Sequence, residues 1–279
     1  MHKACLINLE GKFSLYSIVE SQTFEPVFVE WSMDLLQNLK DYSIIVYYSP
    51  QIDNEILKAI RKNICFLNIK LIVFSDSIDI EIRKNSMKSG ADLVELLPLS
   101  DEELIDILGD FHSSFLHARV FNNKILNPFK LAVEEILSMM AIISIEYVDA
   151  YQTTSQFHFG DLSGIMSLAG EKKGAIMISF YENLAKKIIA AIMAVPEEEI
   201  TEEEEHDGVG ELINMIAGGA KARLGDSDTH FLLSAPTVIT GNQHRVIQQK
   251  DMPCVVLVYK IEEDYFAVQI CMMNLIESN

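Results

Sequence analysis

His206-Asp207-Gly208-Val209-Gly210-Glu211-Leu212-Ile213-Asn214-Met215-Ile216-Ala217-Gly218-Gly219-Ala220-Lys221-Ala222-Arg223-Leu224 carries apolar residues at Val209, Leu212, Ile213, Ile216, Ala217 and Ala220. That spacing predicts a helix with one buried face. Glu211 and Asn214 lie three apart and so emerge on one side of it. A carboxylate beside a carboxamide on a rigid element can hold a partner's ammonium group and orient a water. Such pairs are common on solvated helices. What sets this one apart is its Gly-rich lead-in and the small-residue run after it. Gly218 and Gly219 each cost a helix roughly 1 kcal/mol relative to Ala, so close approach of another element is expected there. No second acidic-x-x-Asn pair occurs in the chain.

Composition limits what surrounds this helix. With 279 residues, 49% hydrophobic and 23% charged, the chain reads as globular, with one or two domains. No run approaches the ~20 apolar residues of a membrane span. The start, Met1–Glu10, has no small-residue cleavage site and reads as a first buried strand rather than a signal peptide. A cytoplasmic location follows as an expectation. The formal net charge of −19 argues against nucleic acid and anionic membranes as partners. Much of that charge is Glu197-Glu198-Glu199, Glu202-Glu203-Glu204-Glu205 and Asp207, which suit a solvated helix start or a field that steers a basic partner surface. Cys5, Cys65, Cys254 and Cys271 are isolated in apolar contexts, with no Cys-x-x-Cys. Buried, reduced thiols are the simplest expectation.

The overall class is α/β in two halves, 1–120 and 121–279. In the first, strands are predicted at Ala4–Leu9, Ser43–Tyr48, Lys70–Ser75 and Leu93–Leu97, and helices at Met33–Leu39, Asn54–Asn63, Glu81–Ser89 and Asp101–Arg119. Short apolar strands between amphipathic helices indicate a flavodoxin-like, doubly wound parallel sheet. Ser100 is a good N-cap for the last helix. Ile72-Val73-Phe74-Ser75, Gly90-Ala91-Asp92 and Leu97-Pro98-Leu99-Ser100-Asp101-Glu102-Glu103-Leu104 resemble a receiver domain of two-component signalling. The departures are large. The phosphorylated Asp of that family falls here at Tyr47-Tyr48, its Lys at Leu97, and its acidic pair is reduced to Asn8 and Glu10. Only Ser75 matches the hydroxyl position. The resemblance therefore implies a pseudo-receiver, used for docking or dimerisation.

A linker is expected near Phe121–Pro128, with Asn127 and Pro128 opening a helix that runs to about Ile143. Strand-like segments follow at Tyr147–Phe159, Ser163–Ala169 and Gly174–Phe180, then a helix at Glu182–Met193, the acidic run and the Glu211/Asn214 helix. Pro236–Ile239 reads as a strand. Cys254–Ile261 and Tyr265–Met272 read as a hairpin joined through Glu262-Glu263-Asp264. This order is that of an α+β unit with an antiparallel sheet and flanking helices. The acidic-x-x-Asn pair with its small-residue run, together with Gly174–Phe180, Ala190-Ala191-Ile192-Met193 and Ser234–Gly241 at the right distances, resembles the CheC/CheX/FliY chemotaxis phosphatases. One motif rather than two matches the single-site CheX type.

That resemblance implies a phosphatase for a phosphorylated CheY-like receiver, and a homodimer. Glu211 and Asn214 would be the catalytic pair. Asn214 would insert into the partner's site and aim a water, and Glu211 would pair with the partner's Lys. No cofactor of its own is implied, because Mg²⁺ would be held by the partner receiver. The competing reading is a non-catalytic signalling scaffold, in which the CheX-like half dimerises and the pseudo-receiver docks a partner. A third reading makes the pseudo-receiver the regulator of its neighbour. Other candidates are weak. His206 and His244 are isolated, and His112 and His117 lack ligand spacing. Asp76 and Asp79 lack a phosphate-binding Gly loop. Ser163-Gly164 and Gly218-Gly219 match no nucleophile elbow or P-loop. Met139-Met140 and Met272-Met273 read as core or dimer contacts.

Overall fold

Ile44–Tyr48 and Lys70–Ser75 are nearly continuous apolar runs, the pattern of strands covered on both faces. The computed structural model describes residues 2–9, 19, 24–116, 121–140, 143–153, 160–170, 173–181, 183–225, 231–241, 244, 246, 252–273 and 275, of which 110 and 112–116 by backbone alone. It divides into two compact units, Met1–Ala118 and Arg119–Asn279. In the first, β1 (His2–Ile7), β2 (Phe24–Val29), β3 (Ile44–Tyr48), β4 (Lys70–Ser75) and β5 (Leu93–Leu96) form a parallel sheet of order β2-β1-β3-β4-β5. That is the flavodoxin-like doubly wound order. Alternate residues feed two cores. Cys5, Ile45, Leu71 and Val73 meet Leu57 and Ile60 of α1 (Asn54–Asn63) on one face. Ala4, Val46, Ile72 and Phe74 meet Leu104 and Leu108 of α3 (Asp101–Leu116) on the other. Local caps explain the helix starts. Asp53 accepts from the Glu55 N–H and opens α1, Asp79 accepts from the Ile82 N–H and opens α2 (Ile80–Lys88), and Ser100 with Glu103 forms a reciprocal cap on α3.

In the second unit, α4 (Asn123–Met140), α5 (Leu184–Met193) and α6 (Glu202–Leu224) cover one face of an antiparallel sheet. Its strands are β6 (Glu146–Thr153), β7 (Leu162–Gly170), β8 (Gly174–Phe180), β9 (Phe231–Leu233), β10 (Thr237–Thr240), β11 (Cys254–Ile261) and β12 (Asp264–Met272). Their order is β10-β7-β8-β12-β11-β6, with β9 also on β7. Period-two alternation sends Ile176, Ile178, Phe180, Leu257, Tyr259, Phe266, Val268 and Ile270 to the helix face. Tyr259 and Phe266 stack there at 5.2 Å between ring centroids. The Tyr259 hydroxyl is buried and has no hydrogen-bond partner among the described residues, and burial pushes its pKa far up. Deleting an orphaned buried hydroxyl removes a desolvation cost of ~1–3 kcal/mol. Tyr259→Phe is therefore expected to raise the melting temperature by a few degrees. A calorimetric melt showing a clear decrease would mean that the hydroxyl is bonded.

Three sequence expectations need correction. β2 was not foreseen: Glu25 and Pro26 interrupt its apolar pattern, and both are tolerated because it is an edge strand. The helix expected to open at Asn127-Pro128 begins at Asn123, with the Asn122 carbonyl accepting from Ile125 and Leu126. Pro128 lies inside it, and the buried stripe Ile125, Leu126, Phe129, Ala132, Val133 and Leu137 carries the helix past the hydrogen bond that Pro removes. Finally, the cysteines are not all thiols. The hairpin register sets Cys254 opposite Cys271, Cα atoms 4.1 Å apart, and they are joined as a disulfide. Cys5 and Cys65 stay buried thiols, the former pushed up to about 12 by burial and so inert. The helix that begins at Asn123 runs to Met140, and Ile143, where its end was expected, is not helical. The expected strand end at Phe159, the helix end at Arg119, and Glu10, His112 and His117 involve residues or side chains outside those described.

Candidate functional site on the long helix

Thr201 caps α6: its hydroxyl accepts from the Glu204 N–H, and the Glu204 side chain reaches back to the Thr201 N–H at 2.9 Å. Glu202–Glu205 of the acidic run thus form the first turn of this helix, where the axial dipole favours negative charge, while Glu197–Glu199 make a separate 3-10 turn before it. Val209, Leu212, Ile213, Ile216, Ala217, Ala220 and Leu224 face the core. Glu203, Asp207, Glu211, Asn214 and Ala222 are exposed on the opposite side. Successive steps of three and four residues keep them, with the half-buried Gly218, in one stripe along the helix. The Asn214 amide Nδ2 points at Glu211 Oε2 at 3.4 Å. At that length the contact is weak, so the carboxylate and the carboxamide both retain capacity for an external partner.

Two neighbours define the setting. A Cβ placed on Gly210 would sit 3.6 Å from Val238 and 3.7 Å from Pro236, so the exposed Ser234–Thr237 segment runs alongside the pair. The Ser234 hydroxyl accepts from the Ser167 N–H, which ties that segment to β7. Sequence reading placed Ser234–Gly241 after the helix but not beside it. Only the β7–β10 pairing brings it there. On the core side, Gly208 lets Ile189 of α5 approach and Gly219 lets Ala132 of α4 approach. Of the two glycines expected to admit a neighbour, Gly219 does so. Gly218 does not: nothing described stands within 4 Å of where its Cβ would be.

The remaining candidates do not join this pair. His244 contacts the Ser163 hydroxyl at 2.9 Å and the Gly241 carbonyl at 3.1 Å, a tie between a loop and β7. Ser163 is buried and donates to Ser179 at 2.7 Å. His206 lies 3.9 Å from Glu202. In the first unit, side-chain hydrogen bonds tie the carboxyl ends of the strands. Asn8 accepts from the Trp31 N–H and donates to the Tyr48 carbonyl. Tyr48 donates to Asp76 at 2.6 Å, and Ser75 donates to the Pro50 carbonyl. Among the described residues, no three His, Cys, Asp or Glu side chains stand close enough to hold a metal ion. None of the described helices is long and apolar enough to cross a membrane.

A receiver-like doubly wound unit thus shares a chain with an α+β unit whose long helix displays Glu-x-x-Asn. Residues 162–260, within the second unit, match the family model for the chemotaxis phosphatase CheX. The chain is similar to a CheC-like superfamily protein from Shewanella sp. PV-4, with 29% identity and a TM-score of 0.50, covering 54% of this chain and 98% of that one. It is also similar to the chemotaxis protein CheX from Vibrio vulnificus, with 26% identity and a TM-score of 0.50, covering 53% of this chain and 99% of that one. The CheY-P phosphatase CheX of Thermotoga maritima is 28% identical over 82 residues, 29% of this chain. The chain spans about half, 53%, of the length of that relative.

Proposed function

We propose that the chain is a phosphatase for aspartyl phosphate carried by a separate, CheY-like receiver. The observation that carries this reading is the Glu211/Asn214 pair, exposed on one face of a rigid 23-residue helix. The CheX match over residues 162–260 and the name of the Thermotoga relative support it. An acyl phosphate is intrinsically labile, so positioning and charge stabilisation suffice for catalysis. Asn214 enters the partner's site. Its carbonyl oxygen accepts from a water and aims it in line with phosphorus. The water oxygen bonds to phosphorus as the bond to the aspartyl oxygen breaks, leaving inorganic phosphate and a carboxylate. Glu211 meets the partner's active-site Lys and fixes the register. A Mg²⁺ would be held by the partner receiver, where it would supply charge neutralisation at the phosphoryl group. A carboxylate beside a phosphoryl group is favourable only because it faces a cation.

Phosphate release from a phosphorylated CheY-type receiver tests the reading, and acceleration by the full chain is expected. Glu211→Lys sets like charges against each other at the contact and should raise KM roughly tenfold or more. Absence of acceleration across several receivers would leave the non-catalytic scaffold as the better account, and an unchanged KM in Glu211→Lys would remove the Lys pairing.

A further inference from the structure

A glycine inside a helix persists only where something compensates its loss of helix propensity. On α6 the compensation is visible at Gly208, where a Cβ would lie 2.7 Å from Ile189, and at Gly219, where it would lie 3.3 Å from Ala132. At Gly218 the described residues supply none: none of them stands within 4 Å of a Cβ there. Gly218 is four residues after Asn214, hence on the same face and about 6 Å further along the axis. The stripe therefore changes character along its length. It runs from carboxylates at Glu203, Asp207 and Glu211, through the carboxamide of Asn214, to bare backbone at Gly218 and a methyl at Ala222. Asn has a single methylene between backbone and amide. For that amide to enter another protein's site, the helix backbone must come close to the partner's surface. A longer side chain one turn away would hold the two apart.

We propose that Gly218 is a landing point on α6 for the phosphorylated receiver, where the rim of the receiver's phosphoryl site packs directly on the helix backbone and sets the depth to which Asn214 inserts. This rests on the phosphatase reading and adds to it the second contact that fixes the partner's pose: a cation at Glu211 on one side of Asn214, close backbone packing at Gly218 on the other. Gly218 is thus a positioning residue. It reaches the reaction only through Asn214.

The test uses the full chain and a CheY-type receiver kept phosphorylated with acetyl phosphate, with binding, phosphate release and melting read in parallel. Gly218→Ala is expected to raise the melting temperature by about 2 °C, because it restores helix propensity in open space, and yet to weaken receiver binding. Gly218→Leu should weaken binding at least tenfold without lowering the melting temperature. A purely structural role cannot give effects of opposite sign on stability and binding. Equal affinities for wild type and Gly218→Leu overturn the inference, as does a melting temperature that falls in Gly218→Ala. A wild type that binds the receiver without hastening phosphate release overturns the phosphatase reading alone, and the Gly218 comparison is still read from binding. A wild type that binds no receiver overturns both.

Discussion

Asn214→Ala is expected to lower receiver dephosphorylation by about 100-fold, or roughly 2.7 kcal/mol of barrier, while leaving the fold intact. The size follows from the single task that the proposed mechanism assigns to the side chain. In that mechanism its amide orients the attacking water, and an alanine methyl can neither accept from nor donate to one. The intact fold follows from exposure: Asn214 touches Glu211 at 3.4 Å and lies outside the buried face of α6. Surface changes of this kind stay within about 0.5 kcal/mol, and Ala is the better helix former. Circular dichroism and the melting temperature should therefore match the wild type. Asn214→Asp keeps the shape but brings a second carboxylate to the phosphoryl group, and it should stay as inactive as the alanine variant. Full turnover in Asn214→Ala would move the catalytic role elsewhere, and an equal loss of melting temperature and activity would make it structural.

The same residues show why the geometry of the candidate pair was legible in the sequence and its surroundings were not. Glu211 and Asn214 are three apart on one helix, and local periodicity fixes their relation. Asn54–Asn63 was likewise readable to the residue, because Asp53 caps it and Leu57 and Ile60 mark its buried face. What failed depended on partners far away in sequence. The disulfide is the clearest case. A turn through Glu262-Glu263-Asp264 would set Ile261 opposite Tyr265, and Cys254 one residue out of step with Cys271. The observed two-residue turn pairs Ile261 with Asp264 and so Cys254 with Cys271. A slip of one residue sends side chains to opposite faces. Likewise, adjacent glycines look equivalent in a sequence. Only the position of α4 separates Gly219, which packs on Ala132, from Gly218, which does not. β9 is three residues long and exists through its pairing with β7, so no local pattern announces it.

The largest stability effect is expected in the other unit, at Arg61. This guanidinium is buried, with 4% of the residue exposed. Its Nε donates to the Gly90 carbonyl at 2.8 Å, Nη1 to the Ile69 carbonyl at 3.3 Å, and Nη2 to Asp92 Oδ2 at 2.6 Å. The same Asp92 oxygen accepts from the Leu71 N–H at 2.7 Å. One side chain thus ties α1 to the start of β4 and to the turn before β5. Gly90, at φ +110°, completes the fit, since a Cβ there would strike the Arg61 stem at 2.5 Å. Arg61→Leu takes the paired guanidinium from the Asp92 carboxylate, leaving the more distant Lys70 as its cation, and removes the Arg61 donor from two buried carbonyls. Breaking one side of a buried pair costs ~3–5 kcal/mol, a large share of a domain's stability. Lys at this position should recover little, because one ammonium cannot reproduce three donors in a planar fork. Removing the charge on both sides, as Arg61→Leu with Asp92→Leu, should be less damaging than the single change, because the penalty is the uncompensated carboxylate rather than the missing attraction. Urea titration of Arg61→Leu, Arg61→Lys, Asp92→Leu and the double variant decides it. If Arg61→Leu loses less than ~1 kcal/mol, or the double variant falls to the sum of the two singles, the network does not hold this unit together.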